Sequence, residues 1–261
     1  MKGFGKMIIA GVVIFSIGLI AFLVILGLND WSLDTNWETK TYECTQDNGT
    51  VRLEYSAGPV HVIFYDGEKI KVEYPEAQNY KTEVRENDGK LSVTSGKRYW
   101  YNVALWQQWK IPKTTVYLPK GQTLSLDLTV NAGTLNVESG AYSGVKLELN
   151  AGTVSLGRIE CPELNVKINA GTLNVDGAVC NKITSQVNAG SSHIDGIVCG
   201  DISAKVNAGS SSFDIDGKRA EYNISVDKSA GGCNVSGQTG TTDKRIRAEV
   251  NAGSLSFDFD D

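Results

Sequence analysis

Histidine, methionine and proline are scarce in this chain: two, two and five among 261 residues. What the scarcity removes is mostly chemistry. The two histidines, His61 and His193, are far apart, and neither belongs to a Ser-His-Asp or Cys-His pattern. No HExxH and no phosphate-cradling glycine loop are present, so metalloprotease and nucleotide-binding classes lack their signatures. The five cysteines include no CxxC pair, which argues against a zinc site. Lys and Arg nowhere cluster and the formal net charge is −5, so nothing in the chain attracts nucleic acid. No catalytic residues and no cofactor are expected, and the chain is read as a non-enzyme. Rare proline beside 28 glycines suits a protein that turns many tight corners without breaking strands.

Charge is missing altogether from Met7 to Leu28. A helix over this stretch would be roughly 33 Å long, against a hydrocarbon core of ~30 Å. The competing reading is a cleaved signal peptide, whose apolar region usually runs about 7–15 residues and ends in small residues. Here the run is longer and leaves through Gly27-Leu28-Asn29-Asp30-Trp31, so an uncleaved single-pass transmembrane helix is expected. Lys2 and Lys6 precede it and Asp30 and Asp34 follow it. The positive-inside rule then leaves residues 1–6 as a cytoplasmic tail and places everything after Asp30 outside the cell membrane. Residues 29–49 read as an extracytoplasmic tether.

What the chain has in abundance is a repeat. The triplet Asn-Ala-Gly begins at Asn131, Asn150, Asn169, Asn188, Asn207 and Asn251, with variants Ser56-Ala57-Gly58 and Ser229-Ala230-Gly231. The first four steps are nineteen residues each and the last two are twenty-two each. Apolar residues precede the triplet (Val130, Leu149, Ile168, Val187, Val206, Val250) and stand six after its Asn (Val137, Leu156, Val175, Ile194, Phe213, Phe257). Apolar and polar residues alternate on both sides, the period of strands with one buried face. Each unit therefore reads as strand, corner, strand, turn. The Gly lets the chain turn, and the Ala is expected to fit a crowded inner corner. A unit this small buries its apolar face only by stacking on copies of itself. The pattern predicts an all-β, parallel β-solenoid of ~19–22-residue coils over residues 124–261, seven coils in consecutive order. The Asn column is read as a structural ladder of amides hydrogen-bonding along the stack.

Residues 50–123 are less regular. Val51, Leu53, Tyr55, Val60 and Val62 follow the repeat around Ser56-Ala57-Gly58, which predicts a first coil. Strands are expected near Lys69–Tyr74, Tyr80–Val84, Lys90–Thr94 and Thr114–Leu118, with hairpin turns at Asp66-Gly67 and Asn87-Asp88-Gly89. This region would cap the solenoid, whose end otherwise exposes an unpaired edge.

The units N-A-G-[TS]-x-x-[VLIF], the opening LEYSAGPVHV and the stretch TTVYLPKGQTLSLDLTVNAG together resemble the bacterial "putative adhesin" domain-of-unknown-function family (DUF4097-like). The resemblance spans residues 50–261. It implies a right-handed β-solenoid and a place at the cell envelope, and it carries no catalytic residues.

Four groups remain as candidate sites. Cys161, Cys180 and Cys199 are nineteen apart and share a position in successive coils, close enough for a disulfide within the trio. Glu138, Asp176, Asp195, Asp214 and Asp258 form an acidic column seven after each Asn, a weak calcium site beside the plainer reading of solvated turn residues. A Thr/Ser column (Thr134, Thr153, Thr172, Ser191, Ser210, Ser254) lacks the matched second column of an ice-binding face. Trp100, Tyr101, Trp106 and Trp109 crowd one segment, either as a plug over the solenoid end or as an interaction surface. Two functions fit: an adhesin-like binding or interaction module contacting a protein or cell-envelope partner, or an envelope-stress accessory acting on a membrane signalling partner.

Overall fold

The computed structural model describes Leu19 and residues 37–45, 49–77, 80–95 and 111–260. The first strands are β1 (Glu38–Glu43), β2 (Thr50–Tyr55), β3 (Pro59–Tyr65), β4 (Lys71–Glu76), β5 (Thr82–Asn87), β6 (Lys90–Ser95) and β7 (Thr114–Pro119). The repeats then supply β8 (Ser125–Val130), β9 (Thr134–Val137), β10 (Gly140–Ala141), β11 (Gly144–Leu149) and β12 (Thr153–Ile215). The last strands are β13 (Tyr222–Lys228), β14 (Gly232–Cys233) and β15 (Lys244–Phe259). The chain is all-β and solenoid-like. Among the described residues no helix is long and apolar enough to cross a membrane. Apart from Leu19, the span expected over residues 7–28 lies outside the described residues.

The nineteen-residue step becomes a parallel ladder. Leu126 of β8 pairs with Val145 of β11, Val145 with Leu164 of β12, and Leu135 of β9 with Val154 of β12. Each coil contributes one strand before its triplet and one after it, which form two long walls, and β10 on Ile159–Glu160 of β12 begins a short third side. β12 is a single extended run because its corners are sharp bends that leave the backbone in register with the coils beside it. In the coil that starts at Thr153, seven side chains point inward: Val154, Leu156, Ile159, Cys161, Leu164, Val166 and Ile168, none more than 7% exposed. A fully buried aliphatic side chain is worth about 1.5–3 kcal/mol, which makes this inward set the main stabilising term of each coil. Further along, Phe213 and Phe257 stack with centroids 5.1 Å apart in the column that held Val137, Leu156, Val175 and Ile194. Before the triplets of these two coils the inward positions shrink to Ala204 and Ala248, so bulk lost at one column is met by bulk at another.

Ser56-Ala57-Gly58 makes a first coil, as the pattern around it predicts. β2 lies parallel to β8 with Tyr55 opposite Val130, and β3 lies parallel to β9. One further, outermost level follows: β6 is parallel to β2, and β7 is parallel to β3. Antiparallel strands then close the end, with β5 on β6, β4 on β7 and β1 on β4. The Asn87-Asp88-Gly89 turn joins a true hairpin, with positive φ at both Asp88 and Gly89. The Asp66-Gly67 turn does not, because β3 and β4 sit on opposite sides of β7 and never pair. Residues 38–43, expected in the tether, form the outer strand of the sheet, and Cys44 behind them is buried against the core.

The largest departure from expectation is at the other end. The last coils are not stacked in chain order. β15 pairs with β12 across forty-four residues (Val206 opposite Val250) and with β13 across twenty-two (Ile224 opposite Ile246). The C-terminal coil is thus inserted between the Asn207 coil and the Ser229 coil, which ends the stack. Residues beyond β14 fold back over the exposed edge, where Gln238 and Ile224 exchange backbone hydrogen bonds of 2.9 and 3.0 Å.

Candidate functional site

The corner column is the most ordered feature of the surface. Each Asn amide donates through Nδ2 to the Oδ1 of the coil beside it: Asn150 to Asn131 (2.8 Å), Asn169 to Asn150 (2.6 Å), Asn188 to Asn169 (2.7 Å), Asn207 to Asn188 (2.7 Å) and Asn251 to Asn207 (2.8 Å). Every inner amide in the row spends one donor and one acceptor on its neighbours, so the row is first a structural ladder. The triplet alanines point outward: Ala151, Ala170, Ala189, Ala208 and Ala252 are exposed, so the crowding expected at Ala falls instead on Gly. At Gly190 a Cβ would stand 2.4 Å from the carbonyl oxygen of Gly171 in the coil below.

The three cysteines of the column point into the core. Cys161 and Cys180 have their sulfurs 3.6 Å apart, and Cys199 instead donates to the carbonyl oxygen of Asp201 at 3.3 Å. None of the five cysteines is in a disulfide, and only Cys233 is more than marginally exposed. The thiol–thiol contact with Cys180 holds Cys161 below the usual thiol range, and the same contact with burial pushes Cys180 up.

The two outer faces differ in charge. The wall before the triplet carries ion pairs between coils: Lys167–Glu148 at 2.8 Å, Lys182–Glu163 at 3.2 Å, Lys205–Glu249 at 2.6 Å and Arg247–Asp201 at 3.5 Å. The hydrogen bond from Lys167 keeps the Glu148 carboxyl below its ordinary range. The wall after the triplet has no Lys or Arg over six coils. Its outward rows are Thr134, Thr153, Thr172, Ser191, Ser210 and Ser254, then Asn136, Ser155, Asn174, His193, Ser212 and Ser256.

That wall also holds an arrangement the sequence hid. His193 Nδ1 lies 2.5 Å from Ser212 Oγ, and its Nε2 lies 2.8 Å from Asp195 Oδ1. A carboxylate only accepts, so Nε2 carries its proton toward Asp195 and Nδ1 of the neutral ring accepts from the Ser212 hydroxyl. The available signal was the coil step itself, since Ser212 follows His193 by nineteen residues and Asp195 follows it by two. The trio has the connectivity of a hydrolytic triad without its surroundings. His193 and Asp195 side chains are 52% and 43% exposed on an open wall. The strand of Ser212 is paired in register with β15, which occupies amides an oxyanion would need.

The acidic column is not gathered into a site. Glu138 Oε2 accepts the Phe64 N–H at 2.6 Å, Asp195 faces His193, and Asp176, Asp214 and Asp258 follow the coil spacing. Among the described residues no three His, Cys, Asp or Glu side chains converge as metal ligands. Trp100, Tyr101, Trp106 and Trp109 lie outside the described residues. Their flanks are placed: β6 ends at Ser95 opposite Tyr55, and β7 begins at Thr114 opposite Val60.

Comparison with solved structures finds distant similarities. A "putative adhesin" from Parabacteroides distasonis is 12% identical over 86% of this chain and 98% of that one, with a TM-score of 0.44. One from Bacteroides fragilis is 11% identical over 85% and 97%, TM-score 0.41, and a "putative cell adhesion protein" from Clostridium sporogenes is 15% identical over 87% and 100%, TM-score 0.37. No curated protein matches the chain. The family model described as Toastrack DUF4097 matches residues 51–261, the whole of the coil stack from β2 onward. The chain belongs to the Toastrack DUF4097 family.

Proposed function

We propose that the protein is a non-enzymatic, single-pass membrane-anchored surface module, a right-handed solenoid whose wall free of Lys and Arg docks a cell-envelope partner. The observation that carries this reading is the pair of Thr/Ser and Asn/Ser/His rows running six coils without a cation. Hydroxyls and amides both donate and accept, and short side chains on a paired sheet lose little freedom on binding. The wall is therefore a pre-organised polar platform. The acidic column along its margin disfavours anionic polymers, so a neutral polysaccharide of the envelope is the chemistry that fits best. The apolar run 7–28, with Lys2 and Lys6 just before it and Asp30 and Asp34 just after it, supports the anchor and the outward orientation.

Two experiments test this. Full-length protein in lipid vesicles is mixed with purified neutral cell-wall polysaccharide, and bound protein is measured by co-sedimentation. Wild type is expected to sediment, and Thr172→Lys with Asn174→Lys to lose at least about tenfold in affinity, as expected when two unpaired charges meet a neutral ligand. Equal binding by both would remove the wall from the reading. Orientation is read separately from Ser210→Cys, an exposed position, which an impermeant maleimide should label in intact cells; protection until lysis would refute the outward placement.

A further inference from the structure

We propose that Cys161 and Cys180 form a redox site: a buried dithiol that closes to a disulfide joining two successive coils, while Cys199 remains a thiol. The coil register puts the two residues on neighbouring parallel strands, whose ~4.8 Å spacing lies within the Cα separation a disulfide accepts. Their sulfurs already face each other at 3.6 Å. Closing to the ~2.05 Å of an S–S bond takes side-chain rotation and no backbone movement. The third thiol is the discriminating observation. Cys199 occupies the same column one coil further on, and spacing alone makes Cys180–Cys199 an equal partnership. In the structure Cys199 is turned away, its S–H spent on the Asp201 carbonyl at 3.3 Å. Tyr222 donates to the Cys199 carbonyl at 3.0 Å, which further ties that residue's backbone in place.

The chemistry needs an oxidant, and a low-molecular-weight or protein disulfide supplies it. The Cys161 thiolate attacks one sulfur of the oxidant and expels its other half as a thiolate. The Cys180 thiolate then attacks the Cys161 sulfur of the mixed disulfide and expels the second half. Two thiols are oxidised, one disulfide is reduced to two thiols, and the two protons pass to the expelled thiolates. The thiol–thiol contact that favours a thiolate at Cys161 suits Cys161 to the first attack. Both cysteines are only 7% exposed, so exchange is slow in the folded state and faster as the coils close during folding.

The test is a linkage map. The full-length protein is incubated with oxidised glutathione, alkylated and digested with trypsin without reduction. Lys167 and Lys182 separate the three cysteines, so each falls in its own peptide: 159–167, 168–182 and 183–205. The expected product joins 159–167 to 168–182 and returns to two peptides on reduction. Thermal unfolding should rise by several degrees on oxidation in wild type and Cys199→Ser, and stay unchanged in Cys161→Ser. A join between 168–182 and 183–205, or three alkylated thiols after oxidation through unfolding and refolding, would overturn the assignment. Because the oxidant is added to purified protein, a failure here is distinct from a failure of the outward orientation.

Discussion

Replacing Gly190 with alanine isolates what the corner demands. Gly190 has φ +150°, and an added Cβ would lie 2.4 Å from Gly171 O, 2.9 Å from Gly171 N and 3.3 Å from Ile168 Cγ2. The first two are backbone atoms of the next coil, so no rotamer change relieves the overlap. The coils must separate locally, which strains the 2.7 Å bond between Asn188 and Asn169 beside them. Backbone strain at such a φ costs about 1–3 kcal/mol and overpacking about 1–3 kcal/mol, so a loss of about 4 kcal/mol is expected. Gly200→Ala is the control: its nearest neighbour is Asn181 O at 3.6 Å, and its φ is not positive. That change should fall between neutral and about 1 kcal/mol stabilising, since it restricts the unfolded chain without strain. Urea unfolding of the full-length protein, followed by far-ultraviolet circular dichroism, reads both. With a slope of about 2–3 kcal/mol per molar, the Gly190→Ala midpoint should drop by about 1.5–2 M. A drop matching that of Gly200→Ala would mean that glycine serves the corner for some reason other than close backbone approach, and the account of the column would fail.

Three more outcomes follow from the same geometry. Asn169→Ala removes bonds to Asn150 and Asn188 and should cost about 1–3 kcal/mol; a double-mutant cycle with Asn188→Ala should show coupling that a cycle with Asn251→Ala lacks. Burial raises the Tyr222 hydroxyl from 10.0 to about 12, and burial also raises Tyr55 and Tyr142. Unfolded tyrosines release their protons first, so the folded state binds more protons above pH 10; stability should hold below that and fall between 10 and 12, with a shallower fall in Tyr222→Phe measured by urea midpoints. Deleting residues 244–261 removes β15 and with it the partner of both β12 and β13, so limited proteolysis should cut between 216 and 243 while the coils up to Ile215 resist. Equal resistance of both regions would show that β13 can close onto β12 unaided.

Much of the coil body was legible because its signal repeats. Val154, Leu156, Leu164, Val166 and Ile168 alternate with polar residues, and a nineteen-residue step repeated along the chain leaves few ways to bury them. The cap was harder. β1 reads Glu38-Thr39-Lys40-Thr41-Tyr42-Glu43 and is almost wholly exposed, so burial periodicity is absent from an edge strand that pairs on one side only. The turn at Asp66-Gly67 has the composition of a hairpin, but hairpin pairing depends on what lies between the strands, and β7, some fifty residues downstream, takes that place. The polar trio on the wall was hidden for a related reason: His193 and Ser212 meet through coil stacking, and a motif search that looks for fixed local spacing does not test a step of nineteen.

The inserted C-terminal coil shows where such a signal lies in plain sight. Consecutive stacking would put Ser229 between Asn207 and Asn251 and break the amide row in its last step. Insertion brings Asn251 directly onto Asn207 at 2.8 Å and sends Ser229 to the end. The same exchange sets Phe257 against Phe213, where chain order would set Val235. At the opposite end Ser56 stands beyond Asn131, so the six asparagines form one unbroken row with a serine triplet outside each terminus. A corner beside the end of the row meets an asparagine on one side only, and an amide there would keep a donor or acceptor unmatched; a hydroxyl, which rotates to suit its surroundings, tolerates that position better. The two serine variants are therefore position markers. They identify which coils bound the amide row, and from Ser229 standing before Asn251 in sequence it follows that the chain must pass that end of the row and return.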